Sequence, residues 1–128
     1  SHQAKEATMD ITKTIAALKL EPGFAEHVGM ILVHNGIVRA WSRSDHSPVT
    51  SVEVTVDQKK IDSLIREYQS KPGIFRVIVE PQTGRLQKGD DLLFILVAGD
   101  VRENVKPVLA ELLDRVKAEA VHKTEMET

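Results

Sequence analysis

The sequence predicts an α+β domain with a mostly antiparallel sheet and helices that cover one face of it. Short β-type segments and helical segments alternate roughly as β-β-β-α-β-β-β-α. Two of the segments carry apolar residues at helical spacing, and residues 91–99 are almost continuously apolar, as in a buried central strand. The length of 128 residues fits one such domain with a single core.

The N-terminal part of the chain has the weakest pattern. Residues 1–22 are expected to be irregular, with room for one short helix, and to precede a single domain at residues 23–128. Pro22-Gly23 marks the boundary, because both residues interrupt regular structure. The apolar segments on either side of Asn35-Gly36 predict two strands around a turn or bulge.

The remaining elements follow from spacing and caps. Near-alternating valines in residues 49–56 predict a strand, and Asp57 is the expected N-cap of the next helix. Asp100 and Glu103 have the spacing of an acidic capping box, whereas Pro107 predicts that the regular part of the last helix starts only near that residue. A polar tail is expected after the apolar stripe of this helix. That stripe consists of Val105, Leu109, Leu112, Leu113, Val116 and Ala120.

Composition excludes several classes of protein. Apolar residues make up 41% and charged residues 28% of the chain, which excludes a mostly disordered protein. A formal net charge of −2 argues against broad nucleic-acid binding, so phosphate chemistry would need a local basic cluster. The chain has no cysteine, and cytoplasm is the default location. Neither a signal peptide nor a membrane span is expected.

Three basic side chains are candidates for an anion site. Lys117 lies on the border of the apolar stripe, where its ammonium could reach a cleft or simply face solvent. Arg102 would lie in the first turn of the last helix, where it could help bind an anion or could pair with Glu103 or Asp100. Arg39 could face inward, toward an anionic ligand, or outward.

No metal site is expected. His34, His46 and His122 lie in separate segments, without the spacing that metal ligands usually show. The segment at residues 84–90 lacks the spacing of a glycine-rich phosphate loop and fits a hairpin turn better.

Three motifs occur in the order found in the large, catalytic subunit of molybdopterin synthase, and the chain resembles that family over roughly residues 28–125. The first is Gly-x-Val-Arg at residues 36–39. The second is Gly-x-Leu-x-x-Gly-Asp at residues 84–90, followed by an apolar strand and Arg102. The third is Asp-x-x-Lys and then Lys-x-Glu, within residues 114–125.

The resemblance implies an α/β hammerhead fold and a homodimer within a heterotetramer. The other partner would be a small ubiquitin-like sulfur carrier, whose C-terminal Gly-Gly thiocarboxylate enters the active site. Two sulfurs would pass to cyclic pyranopterin monophosphate and form the dithiolene of molybdopterin. Neither a metal nor another cofactor would be required.

The resemblance also implies roles for individual residues. Arg39 and Arg102 would bind the substrate phosphate or the entering carboxylate, Lys117 would be the central catalytic lysine, and Lys123 its partner. A lysine that acts as a base needs a pKa below about 10.4, and crowding by Arg102 and Lys123 would lower the pKa of the central lysine. Val101 and His122 stand where the family usually has histidine and an aromatic residue. Val101 and the middle block at residues 52–62, which lacks the family's usual His/Glu-Tyr stretch, motivate the alternative of a non-catalytic homologue, a dimeric interaction or regulatory module.

Overall fold

The computed structural model describes residues 10–126 and contains two three-stranded sheets, both antiparallel. The strands are β1 (Met30–Ile37), β2 (Ser51–Val56), β3 (Ile74–Pro81), β4 (Gly84–Gln87), β5 (Asp91–Gly99) and β6 (Val121–Met126). The first sheet has the order β1-β5-β3 and the second the order β4-β2-β6. The predicted α+β class with a mostly antiparallel sheet is confirmed.

Four helices surround the sheets. They are α1 (Ile11–Leu18), α2 (Phe24–His27), α3 (Gln58–Gln69) and α4 (Arg102–Glu119). Asp57 caps α3 as predicted, because its carboxylate accepts a hydrogen bond of 3.0 Å from the backbone N–H of Lys60. Within residues 10–126, none of the helices is long and apolar enough to cross a membrane.

Strand β5 is the buried centre of the first sheet, as its apolar sequence predicts. Its side chains alternate between two apolar clusters, one on each face of the sheet. Ile95 and Val97 belong to the cluster that includes residues of α3 and α4, whereas Leu96 and Ala98 pack with Leu18 of α1. The two long helices therefore cover one face, and α1 adds cover on the other.

Helix α1 lies inside the segment that was expected to be irregular. Asp10 caps it by accepting a hydrogen bond of 3.1 Å from the backbone N–H of Lys13, and Leu18 is buried against the sheet. Residues 1–9 lie outside the described residues. The division of the chain at residue 22 stays a prediction.

The prediction of two strands around Asn35-Gly36 is wrong, and the alternative of a bulge is correct. Strand β1 runs through both residues, and its register with β5 shifts only between Gly36 and Ile37. Asn35 stays in the ladder opposite Phe94, and its side-chain amide donates a hydrogen bond of 3.2 Å to Asp91. The long pairing with β5 thus prevails over the local turn preference of Asn-Gly.

Helix α4 begins earlier than predicted and without the expected capping box. Arg102 is its first residue, and Val101 is the N-cap without a side-chain cap. The Asp100 carboxylate instead accepts hydrogen bonds from the backbone N–H of Val101 (2.6 Å) and from the Asn104 amide (2.9 Å). Pro107 lies inside the helix, where it removes one backbone donor without ending the helix.

The polar tail predicted after α4 is strand β6. It pairs with β2 over six residue pairs, with Val121 opposite Val56 at one end and Met126 opposite Ser51 at the other. Apart from Val121 its residues are mostly polar, so the strand depends on backbone pairing with β2 rather than on an apolar pattern. This pairing brings residues 121–126 beside α4 and places Glu125 within reach of Arg39 in the loop after β1.

Charged side chains join α3 to the C-terminal part of α4. The Arg115 guanidinium lies 2.8 Å from a carboxylate oxygen of Glu67 and 2.9 Å from one of Glu119. The Lys60 ammonium lies 2.9 Å from Glu119 as well. Hydrogen bonds from Arg115, first, and from Lys60 lower the pKa of Glu119 to about 2. These contacts hold the part of α4 that carries Lys117.

We expect Leu112→Ala to lower the free energy of unfolding by about 2–5 kcal/mol, because Leu112 is fully buried between α4 and the first sheet. Leu20→Ala is the matched control, since the Leu20 side chain is 85% exposed. Urea unfolding followed by circular dichroism gives both values. Equal losses in the two variants would contradict the described packing of α4.

Candidate functional site

A cavity of about 310 Å³ lies where the end of α4, strand β6 and the loop after β1 meet. Four of its lining side chains are basic and one is acidic, which makes the cavity suited to anions. The lining residues are Arg39, Ser42, Arg43, Ser44, Lys117, Lys123 and Glu125. Three of the four residues predicted for the site therefore lie together, although they come from distant parts of the sequence.

The two lysines reach this cavity from different elements. Lys117 lies in the last turn of α4, next to the buried Val116, which is the border position predicted from the sequence. Lys123 lies opposite Val54 in the ladder of β6 and β2. Alternation along β6 places it on the same face as the buried Val121, toward the core.

A second, smaller cavity lies directly beside the first. It has a volume of about 90 Å³ and is lined by Leu92, Leu93, Lys117, Val121 and Lys123. Since Lys117 and Lys123 line both cavities, the two ammonium groups stand between an apolar recess and the open basic cavity. A small apolar part of a ligand could enter the recess while its charged part meets the lysines.

Arg39 is held in a fixed direction rather than extending into solvent. Its Nε donates a hydrogen bond of 3.3 Å to the backbone carbonyl of Trp41, and its guanidinium lies 5.1 Å from the centre of the Trp41 ring. A guanidinium nitrogen also lies 3.6 Å from a carboxylate oxygen of Glu125, and the Arg39 side chain is 27% exposed. Arg39 is thus half-buried beside Trp41 and Glu125, and its binding of an anionic ligand stays a prediction.

The loop after β1 adds polar groups that sequence reasoning missed. Ser42 is buried, and its hydroxyl lies 3.1 Å from that of Ser44. Asp45 accepts hydrogen bonds from the backbone N–H (3.0 Å) and hydroxyl (2.7 Å) of Ser47, which lower the pKa of the Asp45 carboxyl. These bonds shape the loop that brings Arg43 to the cavity. In the local sequence, only Ser42-Arg43-Ser44 indicates these polar groups.

The electrostatics of the cavity are clearest at Lys123. Partial burial is the main cause that lowers the pKa of Lys123, followed by the charge of Arg39. Lys117 and Arg43 lower this pKa further, whereas Glu125 opposes them. Neighbouring cations thus add to burial in lowering the pKa of Lys123, and Arg39 and Arg43 supply the arginine charge.

Arg102 does not join the other three predicted residues within one chain. Its side chain is 76% exposed, and its Nε lies 3.6 Å from a carboxylate oxygen of Glu103, which is the pairing considered as the alternative. Arg102 lines a separate cavity with Glu103, Lys106 and Pro107. At 1.5 Å per residue, the helix separates it from Lys117 by about 22 Å along the axis.

The histidines do not assemble a metal site in residues 10–126, where no group of three or more His, Asp or Glu residues could hold a metal ion. His46 stacks on Trp41 with 4.9 Å between ring centres, next to the basic cavity. His122 is exposed and lies on the face of β6 opposite to Lys123. His34 has a buried Nε2 without a hydrogen-bond partner among the described residues.

Comparison with known proteins gives relatives that share both sequence and fold. A curated relative, a probable molybdopterin synthase of Haloferax volcanii, is 28% identical over 97 residues. The match covers 73% of this chain but only 37% of the relative, so the chain spans little more than a third of that protein.

Two solved structures have the same fold. One is molybdopterin cofactor biosynthesis protein E of Burkholderia multivorans, with a TM-score of 0.72 and 21% identity over 94% of this chain and 82% of that one. The other is the complex of subunits 1 and 2 of the molybdopterin-converting factor of Helicobacter pylori, with a TM-score of 0.67 and 16% identity over 91% and 78% of the two chains.

The sequence model of one protein family covers most of the chain. It is described as MoaE protein and matches residues 4–119, which include β1, the loop with Arg39 and the whole of α4. The chain belongs to the MoaE protein family.

Proposed function

We propose that the chain acts as the large subunit of a molybdopterin synthase. In this reaction, sulfur passes from the C-terminal thiocarboxylate of a small subunit to cyclic pyranopterin monophosphate. One observation carries the proposal: Lys117, Lys123 and Arg39, the residues that the family resemblance singles out, come from three separate elements and line one basic cavity. The names of the relatives in Haloferax volcanii and Burkholderia multivorans support it.

The charges of the cavity suit both reactants. A cyclic phosphate ester and a thiocarboxylate are anions, and Arg39 and Arg43 offer guanidinium groups that can bind their oxygen atoms in pairs. The neighbouring recess places the apolar side chains of Leu92, Leu93 and Val121 on one side of the two lysines. In such a place an ammonium stabilises developing negative charge more strongly than it does in water.

We assign different tasks to the two lysines. Sulfur transfer requires a group that protonates the departing oxygen and a group that stabilises negative charge. Lys123 suits proton exchange, because its lowered pKa brings the neutral amine closer to physiological pH. Lys117 is the central cationic group, since it stands at the junction of the recess and the open cavity.

Partners follow from the same proposal. The cavity is open enough for a slender C-terminal Gly-Gly segment of a small ubiquitin-like carrier, and the relative in Helicobacter pylori is a complex of two subunits. An Arg102 that served the same ligand would have to come from a second copy of the chain, which agrees with the proposed homodimer within a heterotetramer. Cytoplasmic location stays a prediction.

The alternative of a non-catalytic homologue rests on Val101 and on the altered middle block at residues 52–62, and none of these residues lines the cavity. His122 projects from the opposite face of β6 to Lys123, and Val101 lies at the start of α4, next to Arg102. Both departures from the family pattern therefore leave the cluster of Arg39, Lys117 and Lys123 intact. This favours the catalytic proposal.

We expect Lys117→Met to lower the rate of molybdopterin formation by at least about 10²-fold, because it removes the central cation of the site. The assay combines the protein with a thiocarboxylated small subunit and cyclic pyranopterin monophosphate, and detects the oxidised fluorescent product. Lys59→Met, at an exposed lysine of α3 away from both cavities, is the matched control and should retain the rate. Retained activity in Lys117→Met, with normal binding of the small subunit, would contradict the assigned role.

We expect Arg39→Met to raise the pKa of Lys123, because the charge of Arg39 helps to lower it. If neutral Lys123 accepts a proton, the rising limb of the pH–rate profile should move to higher pH in this variant. NMR of the Lys123 side-chain carbons gives the pKa directly. Arg66→Met, on the exposed side of α3, should change neither measurement. An unchanged pKa of Lys123 in Arg39→Met would refute the described coupling.

A further inference from the structure

His34 is a half-buried histidine of β1 whose Nε2 atom is fully covered and has no hydrogen-bond partner among the described residues. Buried polar atoms nearly always have a partner, so an exception indicates a group that binds there in another state of the protein. His34 lies opposite Ile95 in the ladder with β5, and residues opposite one another share a face of the sheet. His34 therefore faces α4 rather than α1.

The imidazole lies across Gly36, at the edge of the small apolar recess. A Cβ atom at Gly36 would lie only 3.0 Å from His34 Nε2, so the absence of a side chain there makes room for the ring. The same position is 3.7 Å from Cβ of Leu93, which lines the recess together with Lys117 and Lys123. The unpartnered nitrogen thus lies beside the inner wall of the recess that both lysines line.

The surroundings keep the imidazole neutral. Burial is the main cause that lowers the pKa of His34 below its ordinary value of 6.5, and the charge of Lys117 is the second. Among the neighbouring elements, α4 contributes Lys117, β6 contributes Lys123 to the same recess, and β5 presents the apolar Leu93 and Ile95. A neutral imidazole has one ring nitrogen with a free lone pair, which accepts hydrogen bonds.

We propose that His34 is a positioning residue for Lys117, whose ammonium donates a hydrogen bond to His34 Nε2 and is thereby held over the apolar recess. In the present structure the Lys117 side chain is exposed and Nε2 is unpartnered, so the contact forms when the flexible lysine folds inward. An ammonium has three N–H donors, of which two remain for an anionic ligand. The hydrogen bond itself does not depend on the proposed function. The inference rests on that function only where it gives the positioned Lys117 a catalytic task.

The contact has a pH dependence with a defined sign. Above the lowered pKa of His34, the neutral ring accepts the hydrogen bond. As the pH falls through that pKa, the ring becomes an imidazolium that has no free lone pair and repels Lys117. As the pH is lowered, the Lys117 side chain is therefore expected to lose its fixed position before the protein unfolds.

The test uses the whole protein and two variants, His34→Gln and His34→Phe. Glutamine offers an acceptor at every pH, whereas phenylalanine offers none. We expect ¹⁵N NMR of the wild type to show the His34 tautomer with its proton on Nδ1. The Lys117 Nζ–H signal should be protected from exchange in the wild type and in His34→Gln, and lost in His34→Phe. A proton on Nε2 of the neutral ring, or a Lys117 signal that His34→Phe leaves unchanged, would overturn the proposal.

Measurements of molybdopterin formation distinguish a failure of this inference from a failure of the proposed function. If the inference and the proposed function both hold, His34→Phe lowers kcat more than it changes KM. His34→Gln then retains activity and does not show the loss of activity at acid pH that the wild type shows. Loss of the Lys117 signal in His34→Phe, together with a wild type that makes no molybdopterin, would support the positioning role and contradict the proposed function. Should His34→Phe fail to fold, Gly36→Ala is the second variant, since its Cβ displaces the ring.

Discussion

The pairing of β6 with β2 is the constraint on which the site depends. After α4 the chain reverses at Ala120 and lies along β2, so that Lys123 faces Val54 and Glu125 faces Val52. Without this ladder, the residues after α4 would have no fixed distance from Arg39, which lies more than eighty positions earlier in the sequence. Backbone hydrogen bonds between two strands therefore bring the candidate side chains together, although the side chains of β6 itself contribute little apolar burial.

A second consequence of this arrangement is an unbalanced charge. Arg39, Arg43, Lys117 and Lys123 share a cavity with the single carboxylate of Glu125. The contact between Arg39 and Glu125 offsets part of the repulsion, and the remaining cation charge adds to partial burial in lowering the pKa of Lys123. An anionic ligand would neutralise this excess, so the repulsion among the cations of the empty site favours ligand binding. The local basic cavity also explains how a chain with an overall net charge of −2 could bind phosphate compounds.

Local patterns predicted those parts of the fold that depend on neighbouring residues. The buried strand β5, the valine-rich β2 and the Asp57 cap of α3 all follow from spacing and propensity. The failures share a different physical cause, because long-range pairing decided them: Asn35-Gly36 remains in a ladder, and a polar tail becomes strand β6. Local position indicated Arg39, Arg102 and Lys117 and the family motifs added Lys123, but only the fold separates Arg102 from the others. Arg43 and His34 escaped notice since nothing in their local sequence indicates which cavity they approach.

The most direct test is to determine where the phosphate-bearing substrate binds on a single chain. Titration of the ¹⁵N-labelled protein with cyclic pyranopterin monophosphate under reducing conditions would map the contact through backbone amide shifts. The account predicts shifts concentrated at residues 39–44 and 117–125, with Lys123→Met abolishing them. Shifts centred on residues 102–107, with no response around Lys117 and Lys123, would contradict the claim that β6 assembles the site.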